Sequence, residues 1–156
     1  MLVIGHRGYQ RNKMGNEEIF KIMRDYLSDA PVTIPPQSFL DMNIEVISYE
    51  DGQSIEISAP LYEKYNNPAG MILGGYLPTF FDLAFGPLSF LVTKRPTTSL
   101  DLNTTFIKPI SVRDEQIIIK AKVINQSRSY LYLEAKAFNP KQELIAAATS
   151  RMRILG

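Results

Sequence analysis

A segment in the middle of the chain combines two adjacent glycines with one carboxylate in apolar surroundings. Gly74 and Gly75 open an apolar run, and Asp82 follows the second glycine by seven residues. Glycine lets a backbone approach another group closely, and the free N–H groups at a helix start favour negative charge. Such donors can stabilise an oxyanion, and Asp82 could act as a general base or nucleophile. A plain turn before a helix that carries a solvated aspartate would give the same pattern.

Other kinds of catalytic site lack the residues they need. The 156 residues contain no cysteine, which excludes thiolate chemistry, disulfides and cysteine-bound zinc. The single histidine, His6, lies near the start of the chain, so neither a Ser-His-Asp arrangement nor a metal cluster is expected. Seventeen basic and sixteen acidic residues give a net charge of +1, which argues against nucleic-acid binding. We therefore expect no metal and no bound cofactor.

The hydrophobic pattern predicts two helices, a hairpin and a run of strands. The first helix is predicted to begin with Asn16 as its cap and to end before Pro31. Alternating residues predict a hairpin over 42–59, and a continuous apolar run predicts a long helix over 75–93. Alternation after Pro96 predicts four strands, at 97–107, 117–125, 129–138 and 143–154.

These elements predict an α+β fold, in which one long central helix is wrapped by a curved antiparallel sheet of about five to six strands. Residues 1–37 would form an N-terminal arm and helix, and residues 38–156 the domain proper. The apolar stretch 70–93 contains an aspartate and two prolines, so it indicates a buried helix and no membrane span. Because the apolar run at the start is too short for a signal peptide, we expect a cytoplasmic protein.

The central segment resembles the hotdog-fold acyl-CoA thioesterases of the phenylacetate-degradation and thioesterase-superfamily-member type. Their pattern is an Asn, a Gly three residues on, a His-Gly-Gly triplet, and an Asp seven residues past the second Gly. The resemblance extends over residues 38–154 and includes the strand signature at 98–109. The matching positions here are Asn67, Gly70, Gly74, Gly75 and Asp82.

The resemblance implies hydrolysis of an acyl-CoA to a free acid and coenzyme A, with no further cofactor. It implies that Asp82 is the base or nucleophile and that the Gly74 N–H stabilises the oxyanion. Asn67 would orient the water or the thioester, and Ser99 would hold the water or Asp82. Asn67 and Gly74 would come from one subunit and the other two residues from its mate, in a homodimer or a dimer of dimers.

The resemblance also implies residues that contact the substrate, and it includes one departure. Gly75 would contact the substrate and Thr79 would line the acyl channel, while Arg128 and Lys108 would meet the phosphates of coenzyme A, or remain solvated surface charges. Leu73 stands where the family carries the histidine of its triplet. This change leaves open a second function, an acyl-CoA or acyl-ligand binder without catalysis, and a third, a purely structural dimer.

Overall fold

The computed structural model describes residues 15–156 and consists of a six-stranded antiparallel sheet with a long helix against it. The α+β class and the central helix are therefore as predicted, and the strand count is six. The elements are α1 (Asn16–Tyr26), α2 (Gln37–Asp41), β1 (Glu45–Glu50), β2 (Ser54–Pro60), α3 (Tyr76–Thr93), β3 (Thr97–Phe106), β4 (Gln116–Gln126), β5 (Tyr130–Phe138) and β6 (Leu144–Ile154). Short 3-10 turns lie at Glu63–Tyr65 and Val112–Asp114.

The strands are ordered β1-β2-β4-β5-β6-β3, so β1 and β3 form the two edges of the sheet. Every neighbouring pair is antiparallel. In β5, Leu131 and Leu133 are buried while Tyr132 is 47% exposed, which is the alternation of a sheet with one covered face. The covered face packs on α3, which contacts β2 to β6. Along the chain, α3 connects β2, beside one edge of the sheet, to β3 at the other edge.

The central helix α3 is held in place by large apolar side chains. Phe80, Phe81, Phe85 and Leu88 are completely buried against the sheet, and each such side chain contributes about 1.5–3 kcal/mol by its removal from water. The helix continues through Pro87, which is itself buried. By length and composition α3 could cross a membrane. Half of its residues are buried inside the fold, because it is the core helix of the sheet.

The predicted cap of the first helix is wrong. Gly15 occupies the cap position of α1, and no side chain caps the helix. The Asn16 side chain instead bonds the start of β1: its Nδ2 donates to Ile44 O at 3.0 Å, and its Oδ1 accepts from Val46 N at 2.7 Å. A side-chain amide can imitate a strand backbone in this way, since it offers one donor and one acceptor. Asn16 therefore fastens α1 to the edge strand β1.

A short helix that was not predicted, α2, follows Pro36. Its Phe39 is fully buried and meets the ring of Phe20 from α1 edge-to-face, with 5.0 Å between the ring centroids. Ile19 and Met23 of α1 join the same core. The N-terminal helix thus packs into the same core as the sheet and α3.

Candidate active site

The entry to α3 leaves two backbone donors free. Leu73 N donates to Tyr65 O at 2.8 Å, and Tyr76 N and Leu77 N donate to Leu73 O and Gly74 O at 3.0 and 3.1 Å. The N–H groups of Gly74 and Gly75 bond to nothing within residues 15–156. They lie at the positive end of the helix dipole, where negative charge is stabilised. This arrangement can hold an oxyanion.

A tight loop fixes Asn67 beside this entry. Its Oδ1 accepts hydrogen bonds from Ala69 N at 2.9 Å and Met71 N at 3.1 Å. Gly70, at φ +77°, takes the left-handed conformation that the turn requires. The Asn67 Nδ2 makes no hydrogen bond to the described residues, so its two N–H groups remain available as donors to a water or a ligand.

Buried aromatic rings support the loop from behind. The Tyr65 ring is 3% exposed and lies 4.3 Å from the Tyr76 ring and 6.0 Å from the Phe80 ring, centroid to centroid. Burial raises the pKa of Tyr65 and keeps its hydroxyl neutral. That hydroxyl has no hydrogen-bond partner in the described part of the chain. The position of Leu73, whose N–H bonds Tyr65 O, is therefore set by core packing.

Asp82 lies two turns further along α3 and is solvent-exposed. The Ser99 hydroxyl donates to its Oδ1 at 3.1 Å. Ser99 stands where the pairing of β3 with β6 shifts register, between Ser99 and Asp101. The second carboxylate oxygen accepts no bond from residues 15–156, so it is free to accept a proton. The structure thus brings together Asp82 and Ser99, a pair that the resemblance implies.

The site residues form two separate groups within one chain. The donor group comprises Asn67, Gly74 and Gly75, and the carboxylate group comprises Asp82 and Ser99. Asp82 lies eight positions after Gly74, about 12 Å along the chain at the helical rise of 1.5 Å per residue. One carbonyl cannot contact both at hydrogen-bond distance. Within a single chain, the donor group and the carboxylate group are therefore too far apart to bind the same carbonyl oxygen.

An apolar pocket of about 310 Å³ adjoins the donor group. The ring of Phe106, at the end of β3, forms one wall: a Cβ added at Gly74 would lie 3.5 Å from its Cζ. The only charged lining side chain is Lys108, whose Nζ donates to Glu143 Oε1 at 2.8 Å. This bond, with one from Asn139, holds the pKa of Glu143 below its usual range. The remaining lining residues are apolar: Ile72, Leu77, Ile107, Pro109 and Ile110.

The other predicted contact residues lie at different distances from the donor group. Leu73 is 49% exposed and directly precedes the glycines, and the Thr79 hydroxyl donates to Gly75 O at 3.1 Å. Arg128 is exposed at the turn between β4 and β5, with no ion pair to a described residue. Lys108 differs, because its ammonium is engaged by Glu143. Among the residues described, no group of three or more His, Asp or Glu could hold a metal ion.

Comparison with known protein families identifies the class of protein. A family model for the thioesterase superfamily matches residues 69–146, which is half of the chain. The matched range includes the pocket, the carboxylate group, and Gly74 and Gly75 of the donor group. The chain belongs to the thioesterase superfamily and has the hotdog fold. No curated protein sequence matches it.

Solved structures share this fold at low sequence identity. The PaaI protein of the phenylacetic acid degradation operon of E. coli superposes with a TM-score of 0.74 at 14% identity, over 90% of this chain and 96% of that one. A thioesterase of Haemophilus influenzae superposes with a TM-score of 0.73 at 15% identity, over 90% of both chains. A phenylacetic acid degradation-related protein of Ralstonia eutropha gives 0.70 at 21% identity, over 84% and 97%.

Proposed function

We propose that this chain hydrolyses an acyl-CoA thioester to a free acid and coenzyme A. Membership of the thioesterase superfamily supports thioester hydrolysis in general. The observation that carries the finer proposal is the free N–H pair of Gly74 and Gly75 at the start of α3, which also carries an exposed carboxylate held by Ser99. An oxyanion hole and a general base are the two groups that hydrolysis of a thioester needs.

The geometry of β3 supports a composite site in a homodimer. Ser99 and Phe106 lie near opposite ends of this edge strand, about 23 Å apart at 3.3 Å per residue. Phe106 packs on Gly74 of the donor group, whereas Ser99 bonds Asp82 of the carboxylate group. If two copies of β3 pair antiparallel about a two-fold axis, each Phe106 end meets the Ser99 end of its mate. The donor group of one subunit then faces the carboxylate group of the other.

In the proposed reaction, water is the nucleophile and Asp82 is the general base. The free carboxylate oxygen takes a proton from the water, and the water oxygen bonds to the thioester carbon. The negative charge that forms on the carbonyl oxygen is stabilised by the Gly74 N–H, with the Gly75 N–H beside it. The C–S bond then breaks, and the departing coenzyme A thiolate recovers the proton from Asp82. Asn67 donates from Nδ2 to the water or the thioester.

The same proposal assigns the remaining contacts. Leu73 and Thr79 flank the thioester on either side of the glycines. The exposed Arg128 guanidinium binds the phosphates of coenzyme A, since an unpaired guanidinium donates strong hydrogen bonds to phosphate oxygens. Lys108, bonded to Glu143, lies beside the apolar pocket next to Gly74 instead. We place the protein in the cytoplasm, with acyl-CoA as its small-molecule partner, and without a nucleic-acid or membrane partner.

The test is hydrolysis of a panel of acyl-CoAs, from acetyl to long-chain and aromatic, followed by release of the free thiol. The Asp82→Asn variant should lose about 10²–10⁴-fold in kcat, the usual contribution of a general base. Asp29→Asn, which changes another exposed aspartate outside the site, is the matched control and should keep wild-type turnover. Wild-type turnover by Asp82→Asn would disprove the role of Asp82.

A second function, acyl-ligand binding without catalysis, is favoured by one observation. The side chain of Leu73, which is 49% exposed beside the oxyanion donors, cannot form a hydrogen bond where the family carries a histidine. Binding of acyl-CoA by the folded protein, without thiol release across the panel, would support this function. Gain of turnover in Leu73→His would then show that the leucine accounts for the missing activity.

A further inference from the structure

The pocket beside Gly74 is built for an uncharged group. One wall is the Phe106 ring and the other lining groups are aliphatic, apart from Lys108. Lys108 is ion-paired with Glu143 at 2.8 Å, with side chains 51% and 46% exposed. A substrate carboxylate that entered this pocket would exchange part of its water for aliphatic walls and meet a lysine already paired with Glu143, which is unfavourable.

Two parts of an acyl-CoA could enter the pocket when the thioester carbonyl lies at the Gly74 N–H. One is the acyl group and the other is the pantetheine arm. The pantetheine arm carries two amides, and burial of an amide without hydrogen-bond partners is costly. The apolar lining therefore favours the acyl group.

From this, and resting on the proposed function, we infer that Phe106 is a specificity-determining residue and that the substrate is an acyl-CoA with an uncharged apolar acyl group of medium size. A volume of about 310 Å³ is at the small end of the range of small-molecule pockets, roughly 300–1,000 Å³. The Phe106 ring sets the width of the pocket at the reacting carbon, because it packs directly on Gly74.

The lysine pair gives a second, independent consequence. The Glu143→Gln substitution removes the carboxylate charge that pairs with Lys108, and it keeps a side chain of the same size. The freed ammonium then provides a cation at the pocket for an acyl group that ends in a carboxylate. We expect the ratio of kcat/KM for adipoyl-CoA to that for hexanoyl-CoA to rise about tenfold or more in this variant, as for a hydrogen bond to a charged group. The Lys108→Met, Glu143→Gln double variant should abolish that rise.

The experiment compares kcat/KM along a series from butanoyl-CoA to hexadecanoyl-CoA. In the wild type, kcat/KM should rise about fourfold for each methylene that enters the pocket and stop rising once the pocket is full. Phe106→Ala should move the optimum to longer or wider acyl groups, and Phe106→Leu should move it less. The matched control is Ile124→Ala, which removes an equally exposed apolar side chain from β4 and should leave the profile unchanged.

The two proposals fail in different ways. If Phe106→Ala changes kcat/KM by one factor for every chain length, the pocket does not hold the acyl group and the inference is wrong, although thioester hydrolysis stands. If the wild type releases no thiol, hydrolysis is wrong, and the pocket is then tested by binding of S-alkyl-CoA thioethers of the same lengths. Equal affinity for all lengths in that assay would overturn the inference as well.

Discussion

The carboxylate of Asp82 accepts one hydrogen bond from the described residues, through Oδ1 from the Ser99 hydroxyl. The other oxygen accepts no hydrogen bond from residues 15–156, and the residue is solvent-exposed. A group held at one atom and free at the other is oriented and can still exchange a proton. The single contact also means that neutral substitutions at position 82 remove little of the packing that stabilises the fold.

At the same scale, Tyr49 links stability to alkaline pH. Its hydroxyl donates to Asp51 Oδ1 at 3.0 Å and accepts from Gly52 N at 3.2 Å. Burial raises the pKa of Tyr49 to about 12 from its ordinary 10.0. Between these values the unfolded chain has lost the phenol proton and the folded chain has kept it, so stability falls as pH rises. The loss reaches about 3 kcal/mol once both states are ionised.

The measurement is the free energy of unfolding in urea at about pH 8 and about pH 12. Lysines titrate over the same range, so the comparison is with Tyr49→Phe, which lacks the phenol. That variant should be less stable by about 1 kcal/mol at the lower pH, where it has lost the hydroxyl's hydrogen bonds. It should then lose less stability at the higher pH. Parallel losses in both proteins would contradict the assignment.

Some of the contacts at the site could be predicted from the sequence, and others could not, because they depend on how distant strands pair. The pairing of Asp82 with Ser99 follows the family resemblance, and the structure shows the contact. The role of Phe106 could not be predicted, because its packing on Gly74 depends on where a strand thirty-two residues later ends. The pairing of Lys108 with Glu143 is similar, since it requires the register between β3 and β6.

At the scale of elements, the hydrophobic pattern predicted the long helix and the first hairpin at nearly their observed positions. The helix predicted over 75–93 is observed at Tyr76–Thr93, and the hairpin predicted over 42–59 forms β1 and β2. The short helix α2 was missed, because five residues carry no periodicity and Phe39 is ordered by the core that it joins. The predicted cap was wrong for a related reason. The sequence pattern placed the Asn16 side chain on its own helix, but the amide bonds Ile44 and Val46 at the start of β1 instead.

Asn16 provides a test of how α1 is attached. Asn16→Ala should destabilise the protein by about 2 kcal/mol, because two hydrogen bonds of about 1 kcal/mol each are lost. Asn16→Ser should be nearly as unstable, since one hydroxyl cannot replace both amide contacts to Ile44 and Val46. Unfolding in urea measures both variants, with Glu18→Ala as the control at an exposed site in the same turn.

The serine variant decides between the two roles of this residue. Serine is a good helix cap, so recovery of wild-type stability in Asn16→Ser would show that Asn16 acts on α1 and not on β1.

At the scale of the whole molecule, the proposed composite site can be tested by mixing two inactive variants. One carries Asp82→Asn and the other carries Gly74→Val, which places a branched side chain against Phe106 at the oxyanion donor. In a mixed dimer one of the two sites draws Gly74 from the first chain and Asp82 from the second. After unfolding and refolding together at equal amounts, activity should recover to about a quarter of wild type, since half the dimers are mixed and each has one intact site.

Two comparisons make this result decisive. Each variant refolded alone should remain inactive. The same mixture should also stay inactive when both chains carry Leu100→Glu, which places a charge on the exposed edge strand β3 and should leave monomers in light scattering. No recovery in the mixture, with dimers still present, would show that both groups act within one subunit.

The two edges of the sheet differ, and the difference bears on how assembly ends. Both edge strands contain a register shift, between Val46 and Ser48 in β1 and between Ser99 and Asp101 in β3. Edge strand β1 is only six residues long, and the N–H of its Val46 is bonded by Asn16. Edge strand β3 is ten residues long, with most of its side chains exposed. A chain whose two edges were equally receptive could add copies without limit and grow into a fibre. If copies pair through β3 alone, as proposed, a paired chain has no receptive edge strand for a third copy, and growth along the sheet stops at two chains.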